Sequence, residues 1–245
     1  VTPPPLNVAA LEVPHRFGQP EAQLALTDEV LSGLSGVDLA LLPEAALTGY
    51  VSDDGDYDLR AFAEGLEGPT AARLAALARK HRLALAGPLI ERAGTRCFNT
   101  TLVFDRKGRR LAHYRKRHPW MPERWASPGD LGTPLFEVAG VRLTVAVCFD
   151  VHFLEEDAAR ELGAADVLLF PSAWSEEGGD QRDARLPELA RAFGVAVVNA
   201  NWGKGAPFVE GQGASRIVDA EGRELARAAS TGPVALTAAV SARAP

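Results

Sequence analysis

Cys148 ends the apolar run Val141 to Val147 and is followed at once by Phe149-Asp150. A thiol so placed is a candidate nucleophile, although a free cysteine is commonly just a small buried hydrophobe. To attack an acyl carbon it needs a base that takes its proton and a donor that holds the tetrahedral oxyanion. Histidine is the usual base, and the chain offers His15, His81, His113, His118 and His152, of which only His152 lies close in sequence. A carboxylate in a poorly hydrated site is the other route, because desolvation raises its proton affinity. Glu44 suits it, following the apolar run Val37 to Leu42 and the break at Pro43. Lys116, in Tyr114-Arg115-Lys116-Arg117, could polarise a carbonyl and stabilise an oxyanion. Taken singly, Glu44 also reads as a loop carboxylate and Lys116 as a solvated strand-end charge.

The elements that must position these side chains alternate short apolar runs with amphipathic stretches, the pattern of an α/β fold. Leu6 to Leu11, Val37 to Leu42, Leu83 to Ile90, Val141 to Val147, Val167 to Phe170 and Val195 to Ala200 read as strands. Glu21 to Leu34, Thr70 to His81, Glu155 to Leu162 and Asp183 to Phe193 read as helices. Cys97 to Asp105 and Arg109 to Tyr114 flank the turn Arg106-Lys107-Gly108, and Gly213 to Asp219 and Arg223 to Ala228 flank Ala220-Glu221-Gly222. Both pairs read as antiparallel hairpins, so the sheets are expected to be mixed. No repeat and no long linker divides the chain, and residues 1–245 are expected to form one domain.

Composition narrows the function classes. The 245 residues are 47% hydrophobic and 24% charged, with a formal charge of −6, so no cationic surplus exists to bind nucleic-acid phosphates. Two cysteines, Cys97 and Cys148, are too few for a disulfide framework. No apolar run approaches the ~20 residues of a membrane span, and no basic-plus-apolar leader is visible, so a cytoplasmic protein is expected. Asp53 to Asp58 is acidic but lacks the glycine and glutamate of a calcium loop, and the glycine-rich stretch Gly203 to Gly213 lacks a phosphate-loop pattern.

Leu42 to Tyr50, Tyr114 to His118 and Val147-Cys148-Phe149-Asp150, in that order and spacing, resemble the glutamate, lysine and nucleophile motifs of the nitrilase superfamily, the carbon-nitrogen hydrolases. Asn99-Thr100-Thr101, Phe170 to Trp174, Asn199-Ala200-Asn201 and Gly213 to Asp219 are further matches. The resemblance implies a four-layer αββα sandwich with mixed sheets and a Glu44, Lys116, Cys148 triad. It also implies a second glutamate near the lysine, for which Glu123 is the match, and an oxyanion held by Lys116 and the Phe149 backbone N–H. The implied activity is hydrolysis of a small non-peptide amide through a thioester, with water as co-substrate and no metal or organic cofactor. N-carbamoyl amide or nitrile hydrolysis and a catalytically silent binding member are the alternatives. Cys-Phe-Asp is similar to amide-cleaving members, whereas nitrilases resemble Cys-Trp-Glu. His152 stands where many amidases have an arginine that can bind a substrate carboxylate, which argues against a carboxylate-bearing substrate. Tyr50, Trp120, His152, Trp174 and Asn201 are candidates for the substrate pocket, and Trp125 and Trp202 could add to an apolar acyl site. Family members commonly form homodimers, and the same is expected here.

Overall fold

A computed structural model describes residues 3–175, 181–229 and 232–243. In chain order the elements are β1 (Leu6–Glu12), β2 (Pro14–Arg16), α1 (Pro20–Ser32), β3 (Leu39–Leu41), α2 (Pro69–His81), β4 (Ala84–Ala93), β5 (Arg96–Phe104) and β6 (Arg110–Arg115). There follow β7 (Leu135–Val138), β8 (Val141–Val145), α3 (Leu154–Asp157), α4 (Ala159–Ala164), β9 (Val167–Ser172) and α5 (Gln181–Phe193). The last are β10 (Ala196–Asn201), β11 (Gly203–Ala206), β12 (Arg216–Val218), β13 (Glu224–Arg227) and β14 (Val234–Val240).

Two mixed sheets carry the structure, in the orders β14-β1-β3-β4-β5-β6 and β13-β12-β10-β9-β8-β7. Each has a parallel centre, β1, β3 and β4 in the first and β8, β9 and β10 in the second, flanked by antiparallel strands. The period-two alternation of strand side chains sorts them into layers. Leu6, Val8, Ala10, Leu39 and Leu41 of the first sheet meet Leu143, Val145, Val167, Leu169 and Val198 of the second in one inner core. The opposite face of the first sheet (Ala9, Leu11, Ala40, Leu42) packs on Leu24 and Leu31 of α1 and Leu74 and Ala78 of α2. The outer face of the second (Leu168, Val197) packs on Leu154, Leu162, Leu186 and Leu189 of α3, α4 and α5. Helix, sheet, sheet, helix is thus the layer order, as the resemblance implied. Strands buried on both faces explain the near-continuous apolar runs in the sequence.

The expected helix Glu155 to Leu162 is instead two short helices, broken at Ala158, which leaves helical geometry at ψ 15° and φ −139°. β14, which is not among the strands expected from the sequence, closes the first sheet antiparallel to β1. The fold brings together the carboxyl ends of β3, β8, β9 and β10, the place where open α/β sheets collect ligands.

Candidate active site

Each candidate side chain arrives by a different local device. Glu44 lies just past β3, where Leu42 N–H still bonds to Ala86 O at 2.9 Å before Ala45 turns the chain with φ 49°. Lys116 extends β6: Ala112 and Tyr114 face inward, so two residues on Lys116 must do the same, and its backbone N–H bonds to Asn99 O at 2.8 Å. Behind it the chain passes so closely that a Cβ on Gly129 would sit 2.1 Å from Arg115 O, so glycine is required there. Cys148 opens the 3-10 turn Cys148–His152 with φ 48°, an uncommon conformation for a non-glycine residue. Asp150 holds that turn. Its Oδ2 accepts from Val147 N–H at 2.9 Å and from the Tyr114 hydroxyl at 2.7 Å, and its Oδ1 accepts from His118 N–H at 2.9 Å.

The side chains then converge. Lys116 Nζ donates to Glu44 Oε1 at 2.7 Å and to Glu123 Oε2 at 2.5 Å, and all three side chains are removed from solvent. Asn99 Nδ2 donates to Glu44 Oε1 and Glu123 Oε1, each at 2.7 Å. Glu123 Oε2 also accepts from Trp120 N–H at 2.7 Å, and Glu44 Oε2 accepts from Ala173 N–H at 2.9 Å. The Cys148 thiol lies beside Glu44, close enough for each to shift the other's protonation. Ammonium, two carboxylates and an amide therefore form a closed ring with the sulfur at its edge.

Electrostatics set the resting protonation. Burial drives the Cys148 thiol well above its ordinary value and the Glu44 charge adds to this, against Lys116 and the Ala173 N–H. Burial also raises Glu44, with Lys116 pulling it down and Glu123 pushing it up. For Lys116 burial opposes the charge, but Glu123 and Glu44 prevail and hold the ammonium well above its ordinary range. A neutral thiol thus stands beside a carboxylate whose proton affinity is enhanced. An ammonium has three hydrogens; among the described residues the ring engages two of those on Lys116, which leaves a third able to donate to another oxygen.

Cys148 opens onto a cleft of about 170 Å³ lined by Trp120, Phe149, His152, Ala173, Trp174 and Ser175. His152 stands at the rim with its residue exposed and its ring 5.0 Å from that of Phe149, and the partial desolvation of the ring together with the Arg185 charge lowers its proton affinity. Three of the five pocket candidates, Trp120, His152 and Trp174, therefore line the cleft. Tyr50 lies behind it, its ring centroid 6.0 Å from Lys116 Nζ. Asn201 is wholly buried: its Oδ1 accepts from Ser172 Oγ and Trp174 N–H, and its Nδ2 donates to Trp174 O, Gly211 O and Gly213 O. It fixes the loop that carries Ala173 and Trp174. Trp125 and Trp202 pack with Tyr50 in the aromatic cluster beneath.

A family model described as carbon-nitrogen hydrolase matches residues 7–243. The chain belongs to that family. Among solved structures, a double mutant of the amidase from Nesterenkonia sp. AN1 in complex with acrylamide superposes with a TM-score of 0.83 at 25% identity, over 96% of this chain and 90% of that one. Of curated relatives, the (R)-stereoselective amidase of Pseudomonas sp. is 29% identical over 223 residues, 90% of this chain and 80% of that protein. The N-carbamoylputrescine amidase of Arabidopsis thaliana is 33% identical over 118 residues, 46% of this chain and 40% of that protein. Matches to several other curated relatives span only 44% to 59% of their length.

Proposed function

We propose that this carbon-nitrogen hydrolase cleaves a small linear, non-peptide amide through a thioester on Cys148, with Glu44 as proton shuttle. The observation that carries the reading is the buried ring of Glu44, Lys116, Glu123 and Asn99 with a thiol beside Glu44 at the mouth of a cleft. Because the sulfur rests as a thiol, its proton passes to Glu44 as the S–C bond forms. The carbonyl oxygen, now an oxyanion, takes the third Lys116 hydrogen and the Phe149 N–H, which lies in the first turn of its 3-10 segment where no intrahelical acceptor serves it. Collapse of the intermediate breaks the C–N bond, and the leaving amine or ammonia receives the proton held by Glu44. Water then loses a proton to Glu44 while attacking the thioester. The thiolate takes that proton back, completing one hydrolysis. Glu123 holds Lys116 in place and balances its charge.

The cleft volume of about 170 Å³ supports a small acyl group, since sites for drug-sized ligands run to roughly 300–1,000 Å³. Trp120, Phe149 and Trp174 supply apolar walls. The test is product release from a panel of primary amides, N-acyl amines, N-carbamoyl compounds and nitriles, with intact-mass detection of an acyl adduct on Cys148. A small amide is expected to lead the panel and to leave the adduct, and Cys148→Ala to be inactive. Full turnover by Cys148→Ala would overturn the scheme, and preference for an N-carbamoyl compound or a nitrile would replace the substrate class.

A further inference from the structure

Asn99 sits at 2% exposure on β5, opposite the end of β6, and its side chain touches two carboxylates at once. Only the nitrogen end of an amide can face two carboxylate oxygens, and its two hydrogens match the two acceptors, Glu44 Oε1 and Glu123 Oε1. Counting lone pairs then separates the two oxygens of Glu44. Oε1 receives Asn99 Nδ2 and Lys116 Nζ, each at 2.7 Å, which fills its two acceptor positions. Among the described residues Oε2 receives one donor, the Ala173 N–H at 2.9 Å, which leaves its second position for the Cys148 proton.

We propose that Asn99 is a positioning residue that reserves Glu44 Oε2 as the proton-accepting atom and holds Glu44 in its charged form between turnovers. The inference rests on the reading of Glu44 as the proton shuttle. Without the amide, Oε1 regains a lone pair that competes with Oε2 for the proton, and the carboxylate loses a donor that favours its anion. Two negative groups, Glu44 and Glu123, would then share Lys116 alone. The main chain of Asn99 contributes as well, since its carbonyl accepts from the Lys116 N–H at 2.8 Å. That bond survives any side-chain substitution, so Asn99→Ala removes the amide without releasing the strand end.

The experiment follows two pH profiles for wild type, Asn99→Ala and Asn99→Asp. One is alkylation of Cys148 by iodoacetamide, read by intact mass, which needs no knowledge of the natural substrate. The other is kcat/KM for the best amide of the panel. A hydrogen bond to a charged group carries enough free energy that its loss is expected to cost roughly 10- to 100-fold in kcat at neutral pH, with little change in KM. The acid limb of both profiles is expected to move to higher pH in Asn99→Ala. Asn99→Asp is isosteric, so it covers the case in which the alanine variant does not fold; it has at most one donor and adds a third carboxylate, and its acid limb is expected to move further. Folded variants whose acid limbs coincide with that of wild type would overturn the proposal. If wild-type Cys148 instead reacts no faster than Cys97 and Cys148→Ala still hydrolyses amides, the underlying reading of the site fails, and that outcome is distinct.

Discussion

As the proposed base, Glu44 faces opposing demands, because it must be charged before the reaction and must bind a proton during it. Burial supplies proton affinity by raising its pKa, and Lys116 limits the rise. A raised pKa means the active, ionised base is lost as pH falls through a value above the ordinary carboxylate range. Acid inactivation is therefore expected at a higher pH than an exposed glutamate would give, and a kcat/KM profile flat down to the ordinary glutamate range would contradict it. Removing the base, in Glu44→Gln, keeps the shape and the Lys116 contact but not the proton shuttle. General-base catalysis contributes on the order of 10²- to 10⁴-fold, and a kcat loss of that size is expected in steady-state assays. Apolar runs mark Cys148 and Glu44 in the sequence, but Lys116 follows the charged stretch Arg109 to Arg115, and only the ordered motifs of the family resemblance joined the three. Asn99 was legible only as part of a matching segment, since a neutral amide gives no charge or periodicity that marks it for a site. Asn201 shows the converse: a polar residue ending the apolar run of β10 reads as a pocket residue, yet its amide is fully engaged in fixing loops.

The elements hold these side chains by contacts that sequence pattern only partly reveals. β3, β4, β8, β9 and β10 were legible because burial on both faces demands continuous apolar residues. The division of α3 from α4 and the strand β14 were not, because one depends on a backbone departure at an ordinary alanine and the other on pairing with a strand more than 200 residues away in the chain. Two contacts between elements make direct predictions. In Gly129→Ala the new Cβ would meet Arg115 O at 2.1 Å and Lys116 O at 2.9 Å, so either the loop or the strand end carrying the ammonium must shift, and the strand end is expected to. Misplacement by about 1 Å can cost on the order of 100-fold in rate, and a kcat loss of that order is expected while the far-UV circular dichroism stays native; unchanged kinetics would show that the loop yields instead of the strand. In Tyr114→Phe the Asp150 carboxylate loses a 2.7 Å hydroxyl donor but keeps Val147 N–H and His118 N–H. Loss of one bond to a charged group costs about 1.5–3 kcal/mol, measurable by urea unfolding. The looser turn is also expected to slow Cys148 alkylation, and a variant as stable and as reactive as wild type would deny Asp150 its hold on the turn.

Across the whole molecule, buried carboxylates whose proton affinity is shifted include two kinds with opposite responses to acid. Burial raises Glu12, Glu44 and Asp150, so the folded chain binds protons at these positions more readily than the unfolded chain. As pH falls toward the ordinary carboxylate range they do not weaken the fold, and their uptake of protons favours it. Glu91 is the opposite case. Burial would raise it, but hydrogen bonds from His113, Arg115 and Thr100 overcome this and lower it from 4.5 to about 2. Arg115 bonds to it at 2.5 Å and 3.0 Å, tying β4 to β6 across β5. A depressed pKa gives stability that is fully present above the unfolded value of 4.5 and is lost as pH falls through about 2. Breaking such a buried pair typically costs about 3 kcal/mol, so Glu91→Gln is expected to lower stability by about that much at neutral pH. The gap between wild type and variant in chemical denaturation should hold down to pH 4.5 and close toward pH 2; a gap independent of pH would remove Glu91 as its source. The two groups also separate loss of activity from loss of structure. Between the raised pKa of Glu44 and the lowered pKa of Glu91 the protein is expected to be inactive yet folded, and returning it to neutral pH should restore full turnover without a refolding step.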